Sequence, residues 1–202
     1  MKKLGFIATA AMLAGAAGFV ALQRAPRDAA SAADDVSEKS AERLQAKIDA
    51  VEQASTKSGD RRREQVEVSE VELESYVMFH LRDEIPARMD SIDVQLTPGA
   101  VAADTQLTFT SDATGNSLID TLIGGTHNFF LKGRLSGVNG QGKFELDEVR
   151  VDGIPVPKVL IETLVKRYVT PKYPDTDLKA PFELPWKIDQ ITIDQGKAII
   201  VY

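Results

Sequence analysis

Residues 142–202 read GKFELDEVRVDGIPVPKVLIETLVKRYVTPKYPDTDLKAPFELPWKIDQITIDQGKAIIVY, and this stretch decides the fold. It begins with an alternating run in which Phe144 and Leu146 oppose Lys143, Glu145 and Asp147, the period-two pattern of a half-buried strand. The hinge Gly153-Ile154-Pro155-Val156-Pro157 follows. Its two prolines fix the backbone and withhold amide donors, so the chain leaves the sheet there and enters a helix near Lys158. Val159, Leu160, Leu164, Val165 and Tyr168 give that helix an apolar face, and Pro171 ends it. Three further strands are expected at Leu178 to Leu184, Ile188 to Asp194 and Lys197 to Tyr202. Bends at Pro185-Trp186 and Gln195-Gly196 would join them into an antiparallel meander.

Working toward the N-terminus, Asn139-Gly140 separates the strand at 142–151 from another at 128–138. This dipeptide suits the positive backbone angles of a tight hairpin. Phe129, Leu131 and Leu135 share one face of the first hairpin strand, so one side of the sheet is dry and the other wet. Ser111 to Gly125, with Leu118, Ile119, Leu122 and Ile123, reads as a short apolar helix or lip. Strands at Ile92 to Leu96 and Val101 to Phe109 flank the turn Pro98-Gly99 and should pair antiparallel. After a short entry strand at Val66 to Val68, Ser69 and Glu72 form a capping box. The helix it opens carries Val71, Tyr76, Val77, His80, Leu81 and Ile85 on one face and closes before Pro86. The fold class expected is α+β: a long curved antiparallel sheet with two amphipathic helices on one face, over residues 64–202.

The chain's 202 residues accommodate one ordinary domain and an accessory segment. Its 43% hydrophobic and 27% charged residues are those of a globular body. The net charge of -6 disfavours a uniformly basic nucleic-acid binder, so no nucleic-acid partner is expected. Cysteine is absent, which excludes disulfides, thiolate metal sites, a thiol nucleophile and a lipidated N-terminal cysteine.

Lys2 and Lys3 precede an uncharged run from Leu4 to Leu22, the pattern of an export segment. As a helix it spans about 28 Å, close to the roughly 30 Å hydrocarbon core, which favours an uncleaved anchor within residues 1–24. The body would then lie on the periplasmic side of the cytoplasmic membrane, N-in and C-out. The competing reading cleaves after Ala14-Gly15-Ala16 and releases a periplasmic protein. Residues 25–63 are rich in Ala, Ser, Asp, Glu and Lys and read as a partly helical linker. Val36, Leu44, Ile48 and Val51 trace a thin apolar stripe along it.

Catalytic and metal motifs were sought in vain. The two histidines, His80 and His127, lie in no paired-ligand spacing and read as ordinary core-edge or surface residues. Gly137 to Gly142 is a glycine-bearing hairpin rather than a phosphate cradle. Glu145 and Asp147 stand about 7 Å apart on one strand face, within the span of glycosidase carboxylates, but exposed strand carboxylates are commonplace. Trp186, Tyr168, Tyr173 and Phe182 around the proline-rich turns read as core plugging the sheet's end, with an amphipathic rim at headgroup level as the alternative. No enzyme, metal or cofactor is implied.

The segments SEVELESYV, LTPG, RLSGVNGQGKFELDEVRVDGIPVP and PFELPWKIDQITIDQGKAIIV together resemble the exported LmeA-like phospholipid-binding family of bacteria, over about Val66 to Tyr202. The resemblance implies an architecture similar to tubular lipid-binding domains and an elongated apolar cavity for lipid or another hydrophobic small molecule. It supplies no headgroup signature. Candidate lining residues are Val77, Leu81, Phe129, Leu131, Phe144, Leu160 and Leu164. The alternative is an anchored structural or adaptor protein with a fully packed core and an envelope protein as partner.

Overall fold

The structure, a computed structural model, describes residues 35–56, 63–82, 85, 87–109, 124–164 and 180–202, without the side chain of Leu164. The anchor expected at residues 4–22, the lip at 111–123, and Val165, Tyr168, Pro171 and Tyr173 lie outside these residues. No helix among the described residues is long and apolar enough to cross a membrane.

The fold is α+β. Helix α1 (Glu38–Thr56) leads to strand β1 (Gln65–Ser69) and helix α2 (Glu70–His80). Strands β2 (Arg88–Thr97), β3 (Ala100–Phe109), β4 (Gly125–Val138) and β5 (Gln141–Val151) come next, then the two-residue β6 (Ile154–Pro155) and helix α3 (Lys158–Leu164). The two-residue β7 (Phe182–Glu183), a 3-10 turn at Pro185–Lys187, β8 (Gln190–Asp194) and β9 (Lys197–Val201) complete the order. The described strands form one antiparallel sheet.

Strand β4, 14 residues long, is its spine. One edge pairs β3 from Ala100↔Arg134 to Phe109↔Gly125, the other pairs β5 from Phe129↔Val151 to Val138↔Gln141. Beyond the end of β3, Gly137 of β4 meets Ile191 of β8. The turns lock these parts together: Gly99 N donates to Ile193 O at 2.9 Å, and Gly196 N donates to Leu96 O at 2.9 Å. Asn139 and Gly140 both take positive φ (53° and 76°), as a two-residue hairpin with the sheet's native twist requires. The closing meander differs from the expected one. β7 pairs β5 through Gly142↔Phe182, and the third strand beside β8 and β9 is β1, through Val66↔Ile200 and Val68↔Ala198. Entry and exit strands therefore meet, an arrangement that local alternation cannot encode.

A bulge in β5 changes the parity of the sheet. Gly133 faces Leu146 and Lys132 faces Glu148, so Asp147 is the extra residue. Before it Phe144 is buried, and after it Val149. Gly133 makes room for Phe144: a Cβ there would stand 2.6 Å from Phe144 Cζ and 2.8 Å from the backbone oxygen of Glu145. Gly133→Ala is expected to destabilise the protein by about 2 kcal/mol through overpacking against a backbone atom that cannot rotate away. A urea titration would show it as a lower midpoint at unchanged slope.

Of the apolar stripe, Leu44, Ile48 and Val51 are core rather than linker surface, while Val36 ahead of the helix is 42% exposed. Ser37 caps α1, its Oγ accepting from Ser40 N at 3.3 Å, and Ala41, Leu44, Ile48 and Val51 bury one face. Leu44 and Ile48 pack with Val68, Val77, Leu81 and the sheet residues Leu96, Val101, Leu131 and Phe144. Val51 packs with Leu184 and Ile188. The stripe is too thin to build a core alone, and it suffices here because α2 and the terminal strands supply the rest of the apolar surface.

Helix α2 begins at the predicted capping box. Glu72 N donates to Ser69 Oγ at 3.3 Å, and Ser69 N donates to Glu72 Oε2 at 2.9 Å. Its buried side is more polar than its apolar periodicity indicates. Glu72, Glu74, Ser75 and Val77 are buried, and His80 is exposed and stacked on Tyr76 with ring centroids 5.0 Å apart. The glutamates serve the edge of the sheet, where Val94 N donates to Glu74 Oε1 at 2.8 Å and Leu96 N to Glu70 Oε1 at 2.7 Å. These amides lie on the β2 side away from β3, and the carboxylates close an edge that would otherwise stay open to another strand.

The third helix departs from the expectation of two helices laid flat on one face. Pro157 O accepts from Leu160 N at 2.9 Å to start α3, but Val159 is 72% and Leu160 54% exposed. Within α3, Ile161 is partly buried against the core. α1 therefore takes the place beside α2 that the periodicity assigned to α3.

Candidate ligand-binding end of the sheet

The seven sequence-derived lining residues divide into three groups. Val77, Leu81, Leu131 and Phe144 are buried in a single cluster, where α2 meets the core face of β4 and β5. Phe129 is half-buried at the edge of that cluster, and Leu160 is exposed on α3. The side chain of Leu164 lies outside the described residues. The structure thus brings four of the seven together as packed core and places Phe129 toward the end of the sheet.

Within the described residues a cavity of about 20 Å³ lies between α1 and the terminal strands, lined by Leu44, Ile48, Val51, Val66, Trp186 and Ile200 among others. It holds about one water-sized probe and falls far below the roughly 300 Å³ of a small-molecule site. None of the seven candidates lines it. Trp186 and Phe182 pack against the core here, consistent with a plug at this end of the sheet. Trp186 and Lys187 hold positive φ (52° and 58°) in the turn that seats the indole.

The opposite end of β4 is different. On its core face the order is His127, Phe129, Leu131, and burial falls from Leu131 outward. Phe109 pairs with Gly125 and Phe129 with Thr105, so these two phenylalanines bracket His127 in the register. Their rings meet with centroids 5.8 Å apart. Asp152, in the turn after β5, reaches back to the same place: its Oδ2 lies 2.7 Å from His127 Nδ1, and its Oδ1 accepts from Asn128 N at 2.9 Å. The hydrogen bond from His127, and then that from the Asn128 amide, hold the Asp152 carboxyl below its ordinary value. Its contribution to stability is therefore present above the usual carboxylate range and is lost as pH falls through the depressed value.

Among the described residues His127 Nε2 has no hydrogen-bond partner and is buried, although the side chain as a whole is 22% exposed. Two residues past Asp152 the chain enters β6 and then α3, so Ile154 (70% exposed), Val159 and Leu160 follow directly from this end of the sheet. In the sequence His127 looks like an ordinary histidine, because its partner is 25 residues away in a turn, outside any motif spacing.

The other sequence candidates resolve into ion pairs. Arg134 Nη2 lies 3.0 Å from both Glu145 Oε2 and Asp147 Oδ1, and Lys143 Nζ lies 2.6 Å from Glu145 Oε1. The Asp147 hydrogen bond raises the Arg134 value, and the Lys143 hydrogen bond followed by the Arg134 charge lowers that of Glu145. On that wet face Arg150 lies over the Phe130 ring, 4.2 Å from its centroid. Among the described residues no group of His, Asp and Glu could hold a metal ion. No protein-family model, curated protein or solved structure matches this chain.

Proposed function

We propose that the chain is a non-catalytic binding protein of the bacterial cell envelope that takes up lipid or another hydrophobic ligand. Residues 4–22 would tether it to the cytoplasmic membrane, with the body on the periplasmic side. The observation that carries this reading is the exposure of Ile154, Val159 and Leu160, large apolar side chains in the hinge and helix that follow β5. Large apolar side chains held in water within one short segment suit a contact with something apolar. Acyl chains suit it, since each buried methylene contributes about 0.8 kcal/mol without any polar contact. The resemblance of the Gly-Ile-Pro-x-Pro hinge and the Pro-Phe-x-Leu-Pro segment to the LmeA-like family points the same way. The ligand's seat is then the α3 end of the sheet rather than the space between α2 and the hairpin, which Val77, Leu81, Leu131 and Phe144 fill.

The packing of those four residues favours a second reading, an anchored adaptor whose exposed α3 docks on a protein. The two are separated by purifying the full chain from membranes into amphipol, identifying copurifying lipid by mass spectrometry, and titrating with a fluorescent phospholipid. The ligand reading expects bound lipid and saturable uptake. It also expects the double substitution Val159→Asp, Leu160→Asp to weaken uptake by at least about tenfold, because two apolar contacts are replaced by charges. The melting temperature should stay within about 2 °C, since both positions are exposed. Absence of bound lipid together with absence of uptake would leave the adaptor.

A further inference from the structure

We propose that His127 and Asp152 form a polar seat for the carboxyl group of a long-chain fatty acid at the α3 end of the sheet. The inference rests on the hydrophobic-ligand reading and specifies the head of the ligand. Three observations converge on it. Among the described residues His127 Nε2 is a buried polar atom without a hydrogen-bond partner, and such atoms are uncommon in folded proteins outside places where a ligand or water completes them. Asp152 occupies Nδ1 at 2.7 Å, which fixes the ring's orientation and directs the free nitrogen away from that carboxylate. Phe109 and Phe129 lie on the same face as His127, two residues along the register on either side of it, and their touching, partly buried rings supply an apolar neighbourhood suited to an acyl chain.

The charge on the pair selects the head. With Asp152 ionised, the pair carries -1 when the imidazole is neutral and 0 when it is protonated. It never presents a net positive charge, so an anion without a proton of its own, such as a phosphodiester, gains little there. A carboxylic acid brings the proton. Its O–H donates to Nε2, or the proton passes to Nε2 and the imidazolium, supported by Asp152 on its other nitrogen, donates to the carboxylate. Either arrangement satisfies the orphaned nitrogen and closes the chain Asp152, His127, carboxyl. Phe109 and Phe129 are both only partly buried, so an acyl chain can lie against their exposed parts.

The test uses the full chain in amphipol, with oleic acid labelled with ¹³C at its carboxyl and methyl oleate as the twin that lacks the acidic proton. Only two histidines are present, so their ring resonances are readily assigned. The expected result is that oleic acid shifts the His127 ring signals and its own carboxyl signal while His80 stays still. His127→Leu and the more conservative His127→Gln should each weaken oleic acid by about tenfold and leave methyl oleate unchanged, the loss of one charge-assisted hydrogen bond. Asp152→Asn, a positioning change, should give a smaller loss for the acid alone. Should the acid and the ester both bind while His127 remains unperturbed, the polar seat is overturned and the hydrophobic-ligand reading stands. If neither ligand binds the wild-type chain, both are overturned.

Discussion

Glu74→Ala lowers the melting temperature by about 6–12 °C, the shift expected for a loss of about 3 kcal/mol in a domain of this size. Glu74 is 2% exposed, and its Oε1 accepts from the Val94 amide at 2.8 Å. Val94 lies on β2, whose outer edge has no strand beside it among the described residues. Removing the carboxylate leaves a buried N–H without an acceptor, a penalty of about 1–3 kcal/mol, and also removes the packed stem of the side chain. Glu74→Gln keeps an acceptor but places an NH₂ group where the carboxylate presented only oxygen, and should lose about 1 kcal/mol. Glu70→Ala, which releases Leu96 N from a bond of 2.7 Å at a half-buried position, should also cost about 1 kcal/mol because water can replace the lost oxygen. The reopened edge of Glu74→Ala adds a second signature, self-association with rising concentration in light scattering. A circular-dichroism melt of Glu74→Ala within 1 °C of wild type would show that the edge of β2 does not depend on this helix.

The same pair of glutamates explains where sequence reading of the fold succeeds and where it stops. Strands β2 to β5 were legible because alternation is local and Pro98-Gly99 and Asn139-Gly140 dictate their turns. Apolar periodicity scored α2 through Val71, Val77 and Leu81, but had no means of seeing that Glu72, Glu74 and Ser75 also face inward. A buried carboxylate looks like a solvated one until its partner is known, and the decisive partners are remote in sequence: Lys47 for Glu72 and the Val94 amide for Glu74. The partnership of β1 with β9 failed to show for a related reason. Each strand is only five residues long, and their pairing joins the two ends of the folded body. The bulge at Asp147 left no local signal either, since Glu145, Asp147 and Glu148 read as one acidic run whichever of them is extra.

The candidate site was legible only in its apolar part. Phe129 and Leu160 were found by spacing and fall at the end of the sheet that carries the exposed surface, whereas Val77, Leu81, Leu131 and Phe144 satisfy the same pattern and are core. Periodicity reports which face a residue takes and is silent on whether that face is filled. The pairing of His127 with Asp152 is invisible in the sequence, because a hydrogen bond made through a turn at positive φ (49° at Asp152) leaves no recurring spacing.

Lys47→Ala tests whether α1 belongs to the folded body, and its expected effect is nearly as large as that of Glu74. Lys47 Nζ lies 2.6 Å from Glu72 Oε1 and 2.7 Å from Oε2, and also donates to the backbone oxygen of Glu67 at 2.6 Å. Glu72 is nearly buried, with a side chain 6% exposed, while that of Lys47 is 31% exposed. Removing the lysine leaves a carboxylate in a poorly hydrated place with only the Ser69 groups to satisfy it, and breaking such a pair from one side destabilises by about 3–5 kcal/mol when both partners are buried. The partial exposure of Lys47 lets water in and brings the expectation down to about 2–3 kcal/mol. Lys47→Met, which retains most of the apolar stem, should lose nearly as much, because the charge is what Glu72 misses. Adding Glu72→Gln to Lys47→Met should then recover about 1–2 kcal/mol, since the amide keeps an oxygen for the cap at Ser69 and carries no charge to strand. If α1 were only a tether, the single and double variants would all unfold at the wild-type urea midpoint. A recovery in the double variant is the result that only a helix docked on α2 can produce.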